Sequence, residues 1–386
     1  MEGLAVAEID VNALAHNTKQ LKRIAAGSRL MAVVKADGYG HGAVPISQTA
    51  LSNGADCLAV ARLSEALNLR AAGIEAPILL FGYSSPETVE LLVHHRITGV
   101  ANDIQSARAL SEAALRIGSR VKVHLKVDTG MGRLGTVVVP GKGDLDEPPG
   151  QIIRSAADAI VTMAALPGLE VEGIFTHFAN ADSADKRHAR NQFSIFMDLL
   201  EELKKHSMEV EIRHAANSAA TIEMPETHLD MVRPGIALYG LWPSNETDRS
   251  LIDLKPVMTL RSKVIGVKMV PADFSVSYGS TYITTRPTTI ATIALGYADG
   301  LNRLLSSVGS LLINGQRCPI LGRVCMDLVM ADVTHVPNVS LEDDAIAIGQ
   351  QGKEQITAEE IADLVGTINY EVVTSITPRV QRVYQQ

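Results

Sequence analysis

Residues 30–42 read LMAVVKADGYGHG. An apolar β-like run climbs to Lys35 and then gives way to three glycines, a tyrosine and a histidine. A doubly wound nucleotide-binding sheet would put a Gly-rich turn directly after its first strand, and none follows this one. Working outward, seven more strand-like runs appear at Cys57–Ala61, Pro77–Gly82, Ile97–Ala101, Val121–Asp128, Val171–Thr176, Glu211–Ala215 and Met231–Gly235, after the first at Leu30–Ala36. Helical patterns separate most of them. Asp103 is placed to cap a helix that runs to Ile117 and stops at Gly118. Phe193, Phe196, Met197, Leu200 and Leu203 follow helical spacing and form one apolar stripe. Eight β–α alternations in about 230 residues fit a (β/α)8 barrel better than an open sheet.

The texture changes after Leu241. Strand-like runs follow one another directly at Met258–Val270, Thr289–Leu295, Ser310–Ile313, Pro319–Val324 and Ala345–Ile348, with Asn314-Gly315 as a hairpin signal and Ala358–Leu364 as the one short helix. The expected organisation is therefore a barrel over residues 1–241 and a mostly β domain over residues 242–386. Ala5–Asp10 is strand-like enough to join the second sheet. Pro140–Gly150 reads as a surface loop inserted after strand five.

Composition narrows the function. The 386 residues are 46% apolar and 20% charged, an ordinary globular balance in a chain long enough for a core without disulfide staples. Lys plus Arg number 35 against 43 acidic residues, a net charge of −8. That argues against nucleic acid or an anionic membrane as the main partner, while leaving room for a local pocket for one small anion. Cys57, Cys318 and Cys325 are odd in number and far apart, which favours a reducing compartment. Residues 1–10 lack the marks of a signal peptide, and no apolar run approaches a membrane span. The expectation is a soluble cytoplasmic protein, and no metal site is expected.

Chemistry in a barrel gathers at the C-terminal ends of its strands. Lys35 stands at the end of the first, among glycines that let backbone approach a ligand closely. A partly desolvated lysine is the nucleophile that a Schiff base requires, although on position alone it reads as a solvated charge. Asn217-Ser218 after strand seven and the N–H groups of Gly235 and Ile236 after strand eight form a candidate anion cradle; taken alone they are a capped turn. In strand five, Lys122, His124, Lys126 and Asp128 alternate with Val121, Val123, Leu125 and Val127. The apolar set packs on helices, so the polar set faces the interior. There Lys126 is costly unless paired or chemically modified. Arg133 and His177 reach the same rim. In the second domain, Tyr278, Tyr282 and Tyr297 sit among glycines, and Cys325, Met326 and Asp327 follow an apolar run. Each of these segments alone reads as a hairpin turn.

Taken together, AVVKADGYGHG at 32–42, KVDTGMGRLG at 126–135, THF at 176–178, HAANSAA at 214–220, RPGIALYG at 233–240, SYGSTY at 277–282, GYADG at 296–300, CMD at 325–327 and INYEV at 368–372 closely resemble the alanine racemase family of pyridoxal-phosphate enzymes, in order and over nearly the whole chain. The Pro140–Gly150 stretch departs from the shorter connection common in that family.

The resemblance implies a homodimer that interconverts L- and D-alanine for peptidoglycan by a two-base mechanism. Lys35 would hold pyridoxal 5'-phosphate as an aldimine and act as one base. Tyr39, Ser218, the Gly235 and Ile236 N–H groups and Tyr370 would hold the phosphate. Arg133 would meet the phenolic oxygen and the substrate, and Arg233 the pyridine nitrogen, with His177 and His214 behind it. Tyr278 would be the second base, delivered with Met326 from the neighbouring subunit, and Tyr282, Tyr297 and Tyr370 would line the entrance. Lys126 would be carbamylated. Ordinary lysine and tyrosine pKa values of about 10.4 and 10 are too high for efficient bases near neutrality, so the site must lower them.

Other readings weigh less. A same-fold decarboxylase would want a catalytic cysteine late in the chain, and Cys325 sits instead in its CMD setting. A barrel that only carries the cofactor needs no second domain. A Schiff-base aldolase typically places its lysine on a later strand. Serine or broader amino-acid specificity is the runner-up for substrate.

Overall fold

The computed structural model describes residues 3–138 and 149–385. All eight expected barrel strands form: Arg29–Val33, Cys57–Val60, Ile78–Leu80, Ile97–Ala101, Val121–Asp128, Leu169–Phe175, Ile212–His214 and Met231–Val232. They pair in parallel in chain order, and the eighth returns to lie beside the first. The ring is nearly closed between the seventh and eighth strands. There the backbone N–H of Asp230 donates to Arg213 O at 3.1 Å and that of Arg233 to Ala216 O at 3.0 Å. Helices cover one face of these strands and neighbouring side chains fill the other, so Cys57–Val60 and Ile97–Ala101 are buried at every residue. This is why they read as continuous apolar runs and not as alternating ones.

The helix signals hold where a side chain makes the cap. The Asp103 carboxylate accepts the Ser106 N–H at 2.7 Å and opens Ile104–Arg116. Phe196, Leu200 and Leu203 are buried on Arg187–Lys205, with Phe193 and Met197 packed against the same core. Residues 140–148 of the expected insertion lie outside the described residues. Its last two, Pro149 and Gly150, begin the helix Pro149–Ala164 and do not belong to a loop.

The second sheet runs Gln316–Pro319, Ser310–Ile313, Asp344–Gln351, Met258–Val270, Val6–Asp10, Gln381–Gln385. Val6–Asp10 thus lies inside it, antiparallel to Met258–Val270 and parallel to Gln381–Gln385. Asn314 and Gly315 both take positive φ, 48° and 74°, as a type I′ hairpin demands. Two expectations fail here. Pro319–Val324 is not a strand: the ladder stops at Pro319, and Val329–Asp332 supplies the pairing with Thr288–Ile293. Ala358–Val365 is not the only helix, because Asn369–Thr374 forms a second. That segment is short and rich in β-branched residues, so its helicity comes from packing and not from propensity.

Candidate active site

The loop after the first barrel strand is locally left-handed. Ala36, Asp37, Gly38 and Tyr39 all have φ between 52° and 60°, a conformation that costs an L-residue roughly 1–2 kcal/mol. Dense hydrogen bonding holds it. The Ala36 N–H donates to Glu65 Oε1 at 2.6 Å, the Gly38 N–H to Val34 O at 2.8 Å, and the Ala43 N–H to Asp37 Oδ1 at 2.8 Å. From the second domain, Arg382 Nε donates to Gly40 O at 2.9 Å and Tyr384 Oη to His41 O at 3.2 Å. Lys35 is fixed at the head of this loop. Burial, helped by Arg133 and opposed by Glu65, lowers its pKa below the ordinary lysine value.

Strand Val121–Asp128 delivers the interior charges. Lys126 is 5% exposed, and its Nζ has no hydrogen-bond partner among the described residues; it lies 4.6 Å from the centre of the Phe175 ring. Burial first, then Arg233 and Arg133, bring its pKa down to about 7 against the opposing Asp128. The Asp128 carboxylate accepts four backbone N–H groups, from Gly130, Met131, Gly132 and Arg133, at 2.8–3.1 Å. Burial pushes its carboxyl up, but those four donors outweigh it and the pKa falls. The same bonds shape the loop that carries Arg133.

Arg233 is buried with its fork spoken for on one side. Nη1 donates to His214 Nδ1 at 3.0 Å, and Nη2 reaches Thr176 O at 2.9 Å, Ala215 O at 3.0 Å and His177 Nδ1 at 3.2 Å. Burial and the Arg133 charge lower its pKa to about 9, so it remains a cation near neutrality. Burial, followed by the Arg233 charge, holds His177 and His214 neutral.

The expected anion cradle assembles with one difference. Ser218 Oγ accepts the Gly235 N–H at 2.8 Å, so that N–H is spent inside the protein and the hydroxyl proton is free to point outward. Asn217, not Ser218, caps the short helix Ser218–Glu223 by accepting the Ala220 N–H at 3.0 Å. The Tyr39 hydroxyl lies so close to Gly235 that a Cβ there would stand 2.4 Å away. Tyr39 packs 4.8 Å from Tyr239 and 6.2 Å from Tyr370, which brings Tyr370 to the barrel mouth.

The other expected residues gather elsewhere. Ser277 Oγ meets Cys325 Sγ at 3.4 Å, the Tyr297 N–H donates to Cys325 O at 3.0 Å, and Arg379 links Asp299 to Asp327 at 3.4 and 2.7 Å. Tyr278 is 71% exposed on this patch, Met326 52% and Tyr297 40%; Tyr282 is half-buried. Among the described residues, no hydrogen bond or ring contact joins Tyr278, Tyr282, Tyr297 or Met326 to the Lys35 cluster. Sequence reasoning missed Glu65, Arg382 and Tyr384. Glu65 had a signal, since it sits three residues after Arg62 at the head of helix Leu63–Ala71. Arg382 and Tyr384 had none, because they act some 340 residues away.

A parallel barrel that buries an amine of lowered pKa beside guanidinium groups and a hydroxyl cradle belongs to the class of enzymes that capture an anionic carbonyl compound at the barrel mouth. Comparison with known proteins narrows the class. Family models described as alanine racemase, N-terminal domain and alanine racemase, C-terminal domain match residues 9–243 and 257–384. The chain belongs to the alanine racemase family. It is 53% identical over 382 residues to an alanine racemase of Desulfosudis oleivorans, covering 98% of this chain and 96% of that one. Among solved structures, alanine racemase of Clostridium difficile 630 superposes with a TM-score of 0.91 at 35% identity, covering 99% and 95% of the two chains. That of Bacillus anthracis with bound L-Ala-P gives 0.91 at 36%, covering 100% and 96%.

Proposed function

We propose that the protein interconverts L-alanine and D-alanine with pyridoxal 5'-phosphate, as a homodimer inside the cell, and so supplies D-alanine for peptidoglycan. The observation that carries this reading is Lys35, a half-buried amine of lowered pKa at the head of a strained, clamped loop that also carries Tyr39 of the Tyr39–Ser218–Gly235 cradle. These residues fit the cofactor. An amine that is easier to deprotonate suits a carbonyl, outward hydroxyls suit a phosphate, and Arg233 keeps donor capacity for a ring nitrogen. Among the described residues, no helix is long and apolar enough to cross a membrane.

When bound, the cofactor supplies the electron sink that makes the substrate's α-proton acidic. Lys35 holds it and moves a proton at Nζ on one face. Tyr278 of the partner subunit moves the proton at Oη on the other, which accounts for its exposure on a patch apart from the barrel mouth. Tyr39, Ser218, Ile236 and Tyr370 retain the phosphate, with Gly235 keeping that space open. Arg133 orients the phenolic oxygen and, with the partner subunit's Met326, the substrate. Arg233 donates to the ring nitrogen. A guanidinium does not give up its proton, so Arg233 would leave that nitrogen unprotonated and the sink weak, which would favour return of the proton over transamination. His177 and His214 hold Arg233 in place, and Tyr282 and Tyr297 of the partner complete the entrance with Tyr370.

Lys126 takes up carbon dioxide in this reading. Its lowered pKa leaves a neutral amine near pH 7. That amine adds to the carbon of CO2 and releases one proton, and the resulting carbamate accepts hydrogen bonds from Arg133. A buried amine near two arginines is thereby turned into an anion. Incubation of the holoenzyme with L-alanine and L-serine in D2O tests the overall function, with α-deuteration and loss of optical activity as readouts. Alanine should exchange fastest; no exchange with alanine would overturn the assignment.

A further inference from the structure

Arg233 has no carboxylate partner among the described residues, although it is buried within reach of two other cations. The hydrogen bonds behind it lead to one through the barrel interior. Arg233 Nη1 can only donate, so His214 Nδ1, 3.0 Å away, must accept. Neutral His214 then carries its proton on Nε2 and donates to His124 Nδ1 at 2.8 Å. His124 in turn carries its proton on Nε2, which faces Glu172 Oε2 at 3.6 Å. That separation is long for a hydrogen bond but short for attraction between a ring N–H and an anion. Lys122 Nζ, 3.0 Å from Oε1, and the Thr98 hydroxyl, donating to Oε2 at 3.0 Å, hold the carboxylate in place. Every donor in the series points from the guanidinium toward Glu172.

The backbone is built for this series. The register between Val121–Asp128 and Leu169–Phe175 pairs Val123 with Val171 and then His124 with Gly173, leaving Glu172 as the extra residue of a bulge. Bulges re-aim side chains. Gly173 clears the space for the ring, since a Cβ there would stand 2.6 Å from His124 Cε1. His214 is also stacked on Phe175, with centroids 4.7 Å apart and planes 9° from parallel.

We propose that Glu172 is a positioning residue for Arg233, acting from the lower barrel through His124 and His214: the guanidinium sets the direction of the series and Glu172 anchors its far end by attracting the His124 Nε2–H. The ring orientation fixed in this way leaves His214 Nδ1 as an acceptor for the guanidinium and turns the free edge of Arg233 toward the barrel mouth. The idea rests on the proposed racemase reading only for what Arg233 then touches.

The test reads imidazole 15N signals in the holoenzyme, alongside racemisation kinetics and the visible absorption of the bound cofactor. In the unmodified protein, His124 and His214 should both show a protonated Nε2 and a bare Nδ1. A protonated Nδ1 on either ring would overturn the proposal without any variant. Glu172→Leu removes charge and acceptor together. It should mix the tautomers of His124, whose Nε2–H loses its acceptor, shift the His214 signals through the bond between the rings, shift the cofactor band and lower kcat about tenfold at little change in KM. Glu172→Asp should restore most of kcat and the ring pattern. A folded Glu172→Leu enzyme with unchanged ring signals and kcat would overturn the proposal. The predicted pattern and its loss in Glu172→Leu, in a protein that racemises no amino acid, would fault the racemase reading while supporting this one.

Discussion

The barrel mouth and the tyrosine patch of the second domain both carry expected site residues and treat them in opposite ways. At the mouth, Lys126, His214 and Arg233 are buried, their pKa values are displaced, and most polar atoms are paired. On the patch, the side chains of Tyr278, Tyr297 and Met326 are exposed, while backbone hydrogen bonds such as Tyr297 N–H to Cys325 O hold the turns that carry Tyr297 and Met326 together. Burial gives the first region its chemistry within one chain. The second would, in the proposed dimer, gain its role from the surface that covers it.

The comparison breaks first at Lys35. Lys35→Ala should lose covalent cofactor, seen as an absent borohydride-stable label on the peptide containing residue 35, and lower racemisation by at least ~10³-fold; a label on Lys126 or Lys122 in the unmodified enzyme would move the attachment point. Next comes Tyr278→Phe, which should leave cofactor content near normal and slow α-proton exchange from L-alanine by about 10²–10⁴-fold. Mixing Tyr278→Phe with Lys35→Ala chains should recover activity, because one site of a mixed dimer keeps both bases. Failure to recover, with subunit exchange verified, would put both bases on one chain and erase the contrast drawn above.

Smaller effects sharpen it. Ser218→Ala removes a hydroxyl from the cradle and also the acceptor for the Gly235 N–H; dialysis should strip cofactor about tenfold more readily, in keeping with a bond to a charged group worth roughly 1.5–3 kcal/mol. Lys126 should give a 13C carbamate signal in bicarbonate-enriched protein at pH 8 and lose it by pH 6. Its pKa is lowered to about 7, so the reactive neutral amine dominates above that pH and the ammonium below it. Lys126→Met should lack the signal and retain activity within roughly tenfold. The same spectrum from both proteins would exclude modification at this residue.

The sequence disclosed the barrel because its strands are apolar on both faces and recur between capped helices, a regularity that survives without knowledge of contacts. Lys35, Arg133 and Ser218 were legible for a related reason: each lies in a short motif at a strand end, where the fold already says which way the chain turns. What stayed hidden depends on distance in sequence or on register. Arg382 and Tyr384 clamp a loop near residue 40. The bulge at Glu172 is a one-residue slip that no composition reveals. Asn369–Thr374 is rich in β-branched residues, falls in no element expected from the sequence, and is made helical by its surroundings. The Gly235 N–H was assigned outward, when a hydroxyl 17 residues earlier in the chain already consumes it.

The placement of Val6–Asp10 between Met258–Val270 and Gln381–Gln385 has a consequence for biosynthesis. The barrel strands all emerge from the ribosome before residue 233 and can collapse on one another while translation continues. The opening strand must wait, both edges bare at first, for partners made some 250 and 370 residues later. Until residues 381–385 are released, neither Arg382 nor Tyr384 is present to fasten the left-handed turn behind Lys35. A nascent chain therefore acquires its barrel strands early, and the clamp on the Lys35 turn only once residues 382 and 384 have been made.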